Sequence, residues 1–220
     1  MAQSGTIQAV MPLELESKIA VTGLDPVREK LRAAEAAYCG RVLETNRLLD
    51  NDSRRLAESG CGLRVRTVRA IDAANSPASG TNPPAEPGAE GGQTAHPDRG
   101  ATMTFKGPLQ EAAFKQREEI EFELRDSEGV VRLLDALGYQ PWLTFEKRRE
   151  SWRLPPCKVE LDELPRLGCF VEVEGPTEGD IRAALAALGL DASHSITKSY
   201  AALIAEQVGG SAGGPIELRF

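Results

Sequence analysis

Hydrophobic and polar positions alternate with a period of two along much of the chain. L-E-L-E-S-K-I-A (13–20) places Leu13, Leu15 and Ile19 on one side of an extended segment and Glu14, Glu16 and Lys18 on the other. In L-R-V-R, Arg64 and Arg66 oppose Leu63 and Val65, and in the segment after it Thr102, Thr104 and Lys106 oppose Met103 and Phe105. K-Q-R-E-E-I-E-F-E-L (115–124) puts Lys115, Arg117, Glu119, Glu121 and Glu123 together, opposite Ile120, Phe122 and Leu124. Lys147 and Arg149 share a face; Lys158, Glu160 and Asp162 oppose Cys157, Val159 and Leu161; Glu172 and Glu174 oppose Val171 and Val173. The pattern predicts strands at 13–20, 40–49, 61–70, 101–106, 113–124, 141–153, 157–162 and 168–174.

Helical spacing is rarer. Asp25-Pro26 reads as an N-cap and first-turn proline for a helix running to about Ala37. Ser127 opens a second helix closed at Gly138, Thr177 a third closed at Gly189, and Ser199 a short one to about Gln207. Sequential strands with few helices predict an α+β chain built on an eight-stranded antiparallel β-barrel, closed on itself. The helices carry apolar stripes (Val130, Val131, Leu133, Leu134, Leu137; Ile181, Leu185, Leu188) that need an apolar partner. If they pack outside, against the strands' apolar faces, the charged faces must point inward. The expectation is a tunnel lined by acid and base.

Composition narrows the class. The 220 residues, 41% hydrophobic, suffice for one domain with its own core. A formal net charge of -7 argues against nucleic-acid binding through bulk charge. No apolar run approaches the ~18 residues of a bilayer span, and the first residues lack the pattern of a secretion signal. Cys39, Cys61, Cys157 and Cys169 stand far apart and read as free thiols in a reducing cytoplasm. From Ala73 to Gly100 the chain is rich in Pro, Gly, Ala and Ser and lacks large apolar residues, which predicts a disordered insertion in a hairpin connection.

A lumen holding many charges is costly unless a ligand uses them. Arg and Lys suit phosphate oxygens, while clustered carboxylates suit Mg²⁺ or Mn²⁺. Both together fit a metal–phosphate complex.

These segments resemble the CYTH superfamily, the triphosphate tunnel metalloenzymes, which include class IV adenylyl cyclases, thiamine triphosphatases and tripolyphosphatases. E-L-E-S-K is similar to its E-x-E-x-K signature, L-R-V-R to its L-R-x-R strand, and T-F-K-G-P (104–108) to its T-x-K-G-P segment. R-E-E-I-E (117–121) resembles R-x-E-x-E, F-E-K-R-R its K-x-R strand, and L-G-C-F-V-E-V-E its L-G-x-F-x-E-x-E ending. K-S-Y-A-A-L-I (198–204) resembles the family's C-terminal S-Y helix. The resemblance implies that Lys18, Arg64, Arg66, Lys106, Arg117, Lys147 and Arg149 hold a triphosphate. It implies that Glu14, Glu16, Glu119, Glu121, Asp162, Glu172 and Glu174 hold Mg²⁺ or Mn²⁺ or orient the basic residues, with Asp162 alternatively structural. Glu16, Lys18 and Glu174 are the expected catalytic residues. Lys198 either caps the lumen mouth or is solvated, and His96 and His194 are left out of the site.

Two reactions start from such a complex. Attack by water gives a triphosphatase; attack by a ribose 3′-oxygen on the α-phosphorus gives cyclic AMP and pyrophosphate. The C-terminal half looks more like class IV cyclases, but Ile7-Gln8-Ala9-Val10 stands where some of them carry a His-Phe pair. Hydrolysis demands less of a site, so a triphosphatase is favoured over a cyclase, with a silent polyphosphate or nucleotide binder third. The expected partner is a small-molecule triphosphate, with neither nucleic acid nor membrane; the apolar outer strand faces leave room for a homodimer.

Overall fold

The computed structural model of the chain describes residues 15–71, 98–108, 118–208 and 214–220. Within them lie β1 (Leu15–Val21), α1 (Asp25–Ala33), β2 (Ala37–Asp50), α2 (Arg55–Glu58), β3 (Gly62–Ala70), β4 (Asp98–Lys106) and β5 (Glu119–Leu124). Then follow α3 (Ser127–Ala136), β6 (Gln140–Leu154), β7 (Cys157–Leu164), β8 (Gly168–Gly175), α4 (Glu178–Ala187), a 3₁₀ turn (Ala192–His194), α5 (Tyr200–Val208) and β9 (Ile216–Leu218). Each of the eight expected strands has a counterpart; residues 13–14 and 113–117 of the expected first and fifth strands lie outside the described residues. The pattern missed β9, α2 and the 3₁₀ turn, which are too short to show a period. Residues 98–100, expected in the insertion, belong to β4; the rest of that insertion lies outside the described residues.

The sheet runs β1-β8-β7-β6-β2-β3-β4-β5, each neighbour antiparallel, with β9 added parallel to β6. Among the described residues β1 and β5 are the ends of an open path, so they show the antiparallel eight-strand order that alternation suggested but not its closure into a barrel. Period two fixes which side chains share a face but says nothing about whether the two last strands meet.

The apolar face is covered as expected over half the sheet. Ile19, Trp152, Val159, Leu161, Val171 and Val173 form one buried cluster with Val27 and Leu31 of α1 and Ile181, Ala184 and Leu185 of α4. Gly175 permits the close approach of α4, since a Cβ there would lie 2.8 Å from Cys157 Sγ and 3.1 Å from Ile181 Cγ1. Over the other half the expectation fails. No residue of α3 is fully buried, Leu133 and Leu137 are exposed, and so is Phe122 on the apolar face of β5. The last helix, α5, departs further. Leu143, Phe145, Leu164 and Phe170 share parity with Lys147, Asp162 and Glu172, and they pack on Tyr200 and Ile204 of α5 and on Leu218 of β9. Thus α5 lies against the charged face, not outside the sheet. No described helix is long and apolar enough to cross a membrane.

Candidate functional site

Strand register lines up the charged positions. Glu16 faces Glu174 and Lys18 faces Glu172 across β1 and β8; Glu174 faces Lys158 and Glu172 faces Glu160 across β8 and β7. Arg149 faces Asp162, Lys147 faces Glu44, Asn46 faces Arg66, Arg64 faces Thr104, and Lys106 and Thr104 face Glu119 and Glu121. Directly paired residues point to the same side of a sheet, so one continuous charged face runs from β1 to β5. That face is concave. Lys18 on β1 and Lys147 on β6 stand three strand spacings apart, roughly 14 Å in a flat sheet. Their ammonium groups nevertheless lie 4.3 and 5.2 Å from the centroid of the same ring, that of Tyr200.

At the centre is Asp162, fully buried. It accepts two hydrogen bonds from Arg149, Nε to Oδ1 at 2.7 Å and Nη2 to Oδ2 at 2.6 Å, and further ones from Lys147 Nζ at 3.1 Å and Tyr200 Oη at 2.8 Å. Arg149 also binds Glu172. The fork of a guanidinium on a carboxylate is geometrically well matched. Burial alone would lower the Arg149 pKa, but Asp162, Glu44 and Glu172 outweigh it and raise it well above the ordinary value. Lys147 goes the other way: burial and the neighbouring Arg149 lower it, against the opposing pull of Asp162, Glu44 and Glu172. Lys18 lies 3.2 Å from Glu172 and 3.7 Å from Glu16, and donates to the carbonyl of Lys198 at 3.2 Å.

A second group continues across β2 to β5. Glu44, buried, meets Lys147 at 3.2 Å and Arg66 at 3.1 Å. Burial pushes its carboxyl up, yet Lys147, Arg66, Arg149 and Arg64 together hold it well below the usual carboxylate range. Arg66 Nε donates to Asn46 Oδ1 at 2.9 Å. Arg64 donates to Thr104 Oγ1 at 3.0 Å, and Thr104 in turn donates to Glu121 at 2.6 Å. Burial, then the adjacent Arg66, bring Arg64 down to about 10. Lys106 binds Glu119. Two donors on this side, Asn46 Nδ2 and Arg64 Nε, are buried with no hydrogen-bond acceptor.

The structure therefore brings Glu16, Lys18, Arg64, Arg66, Lys106, Glu119, Glu121, Lys147, Arg149, Asp162, Glu172 and Glu174 to one face. Glu14 and Arg117 lie outside the described residues. Lys198 turns its ammonium to Glu206 on the surface, and only its carbonyl reaches the site. Sequence reading missed Glu44, Asn46 and Tyr200 as site members. Alternation in E-T-N-R-L would have found the first two, whereas nothing in a helical stripe says which face of a sheet Tyr200 meets.

A sequence profile of the CYTH domain matches residues 12–200. The chain belongs to the CYTH domain family. A candidate adenylate cyclase of Methanocaldococcus jannaschii is 28% identical over 107 residues, covering 44% of this chain and 61% of that protein, so the chain spans about three-fifths of that relative's length. Among solved structures, a candidate adenylate cyclase of Vibrio parahaemolyticus superposes with a TM-score of 0.67 at 16% identity, over 89% of this chain and 99% of the other. A Pyrococcus horikoshii protein superposes at 0.65 with 24% identity, over 88% and 99%. A candidate adenylyl cyclase of Hippeastrum, described as having a dominant triphosphatase activity, superposes at 0.58 with 15% identity, over 90% and 96%. The solved structures show that the fold is shared.

Proposed function

We propose that this CYTH protein binds a triphosphate on its concave charged face and hydrolyses it with a divalent metal ion. The observation that carries the reading is the pairing pattern: Lys18, Lys106, Lys147, Arg66 and Arg149 converge on one face, each held by a carboxylate that a phosphate oxygen can replace. Arg64 adds a guanidinium whose Nε already lacks an acceptor. A row of cations spaced along neighbouring strands suits an extended polyanion better than a single phosphate.

The donor set also fits the implied metal in kind. Glu16, Glu172 and Glu174 offer oxygen alone, which Mg²⁺ and Mn²⁺ prefer. They are not preassembled: among the described residues no three acidic, His or Cys side chains form a ready metal cluster. Glu172 is instead engaged with Lys18 and Arg149. With those cations on triphosphate oxygens, Glu16, Glu172 and Glu174 would be the residues to hold the ion. When bound, the ion neutralises phosphate charge and lowers the pKa of a coordinated water. The protein's own groups do the rest. Lys18, Lys147 and Arg149 orient the triphosphate and stabilise charge developing on the leaving group, and the burial of the two lysines strengthens their interactions.

A second reading is cyclisation of ATP to cyclic AMP and pyrophosphate, supported by the 28% identity to the Methanocaldococcus protein. Phosphorus NMR of the products from ATP and from tripolyphosphate, with Mg²⁺ or Mn²⁺, separates the two. Orthophosphate, released faster from tripolyphosphate, is expected; cyclic AMP with pyrophosphate would assign the cyclase. Glu16→Gln and Glu174→Gln each abolish metal-dependent turnover while the protein stays folded, and full activity in both would refute the site.

A further inference from the structure

The C-terminal helix places one side chain among the charges of the sheet. Tyr200 is 8% exposed, its ring edge-on to Phe170 with centroids 5.2 Å apart and in the apolar cluster that holds α5 to the sheet. The ammonium groups of Lys18 and Lys147 lie over that ring, and its hydroxyl donates to Asp162. We propose that Tyr200 is a positioning residue of the triphosphate site, holding the two lysines by its ring face and Asp162 by its hydroxyl. The proposal rests on the triphosphate reading and adds α5 to the machinery.

The argument is electrostatic. Lys18 and Lys147 are almost wholly removed from water, at 1% and 2% exposure, so each charge needs compensation within the protein. Carboxylates compensate an ammonium but repel an incoming phosphate. A ring face attracts the ammonium through its quadrupole while carrying no net charge. The two lysines can therefore exchange carboxylate for phosphate without losing all of their stabilisation. The phenol keeps its proton in the hydrogen bond it donates to Asp162, so the ring carries no net charge. Its hydroxyl answers a second need. Asp162 is fully buried, and its Oδ2 takes bonds from Lys147, Arg149 and Tyr200. When the first two turn to a ligand, the Tyr200 donor remains.

The test compares Tyr200→Phe and Tyr200→Leu with wild type by calorimetric titration of tripolyphosphate in the presence of Mg²⁺, with thermal unfolding followed in parallel. Phe keeps the ring and loses the hydroxyl; Leu keeps apolar volume and loses both. The expected result is a loss of affinity of about threefold for Tyr200→Phe and tenfold or more for Tyr200→Leu in folded proteins, so that the conservative variant recovers most of the binding. Equal affinity of wild type and Tyr200→Leu would overturn the proposal, as would equal loss in both variants. Absence of binding by wild type would instead sink the triphosphate reading. A ligand-free readout then decides the ring's role: the Lys18 and Lys147 side-chain proton signals lie upfield in wild type and Tyr200→Phe through the ring current. They return to ordinary positions in Tyr200→Leu; signals that do not move would refute the contact.

Discussion

Glu44 sits between Lys147 and Arg66, buried, with its carboxyl held well below the ordinary range by four surrounding cations. In the unfolded chain it titrates normally, near the reference value of 4.5. The folded form therefore binds its proton less readily, and the stabilisation is present above that pH and lost as pH falls below it. Glu44→Gln leaves Lys147 and Arg66 with one carboxylate fewer, and removal of one partner of a buried pair costs about 3 kcal/mol. Urea unfolding at pH 7 should show that deficit, and the gap between variant and wild type should narrow on acidification below about 4.5. A gap independent of pH would mean that Glu44 contributes by packing alone. At this scale the sequence was most informative for strands whose charges alternate without interruption, as in Lys18, Arg64, Arg66, Lys147 and Arg149. Glu44 and Asn46 alternate too, but between Val42 and Leu48, so the apolar neighbours diluted the pattern.

Elements were legible where a period or a cap is written into the chain. Thr177 was read correctly as the start of α4, and its Oγ accepts from the Asp180 amide at 3.2 Å. Ser127, expected to open α3, is its first residue, and the cap before it is Asp126, accepting from the Gly129 amide. For α1 the expected Asp25 cap falls inside the helix, after a Leu24 that makes no side-chain cap bond. Thr177→Ala should cost about 1 kcal/mol. Gly175→Ala should cost about 1–3 kcal/mol, because the added Cβ drives into Cys157 and Ile181 beneath α4. Both are read from denaturant midpoints, and a neutral Gly175→Ala would show that α4 shifts freely on β8. The place of α5 could not be read. Its apolar stripe demands burial, and both faces of the sheet offer apolar partners at the end where Leu143, Phe145 and Phe170 lie.

For the molecule as a whole, the strand register agrees with the alternation, since both put unlike charges on one face of an antiparallel sheet. Register carries this far, because a one-residue slip would exchange the whole charged set for the apolar one. Closure of the sheet is a different matter, fixed by how the outermost strands meet, and no local pattern encodes it. The low-complexity stretch should be dispensable: replacing residues 74–95 with a short Gly-Ser linker leaves tripolyphosphate binding unchanged, whereas a large loss would make that stretch part of substrate recognition. Coupling follows from the shared ion pairs. If triphosphate releases carboxylates for the metal, Mg²⁺ tightens triphosphate binding and triphosphate tightens Mg²⁺ binding by the same factor. The most direct measurement is calorimetric titration of tripolyphosphate into the wild-type protein and Arg149→Gln, with and without Mg²⁺. The account predicts saturable binding that Mg²⁺ strengthens and that Arg149→Gln weakens by about 30-fold or more, as expected for truncating a buried, hydrogen-bonded charge. A folded wild-type protein that takes up no tripolyphosphate under either condition would contradict it.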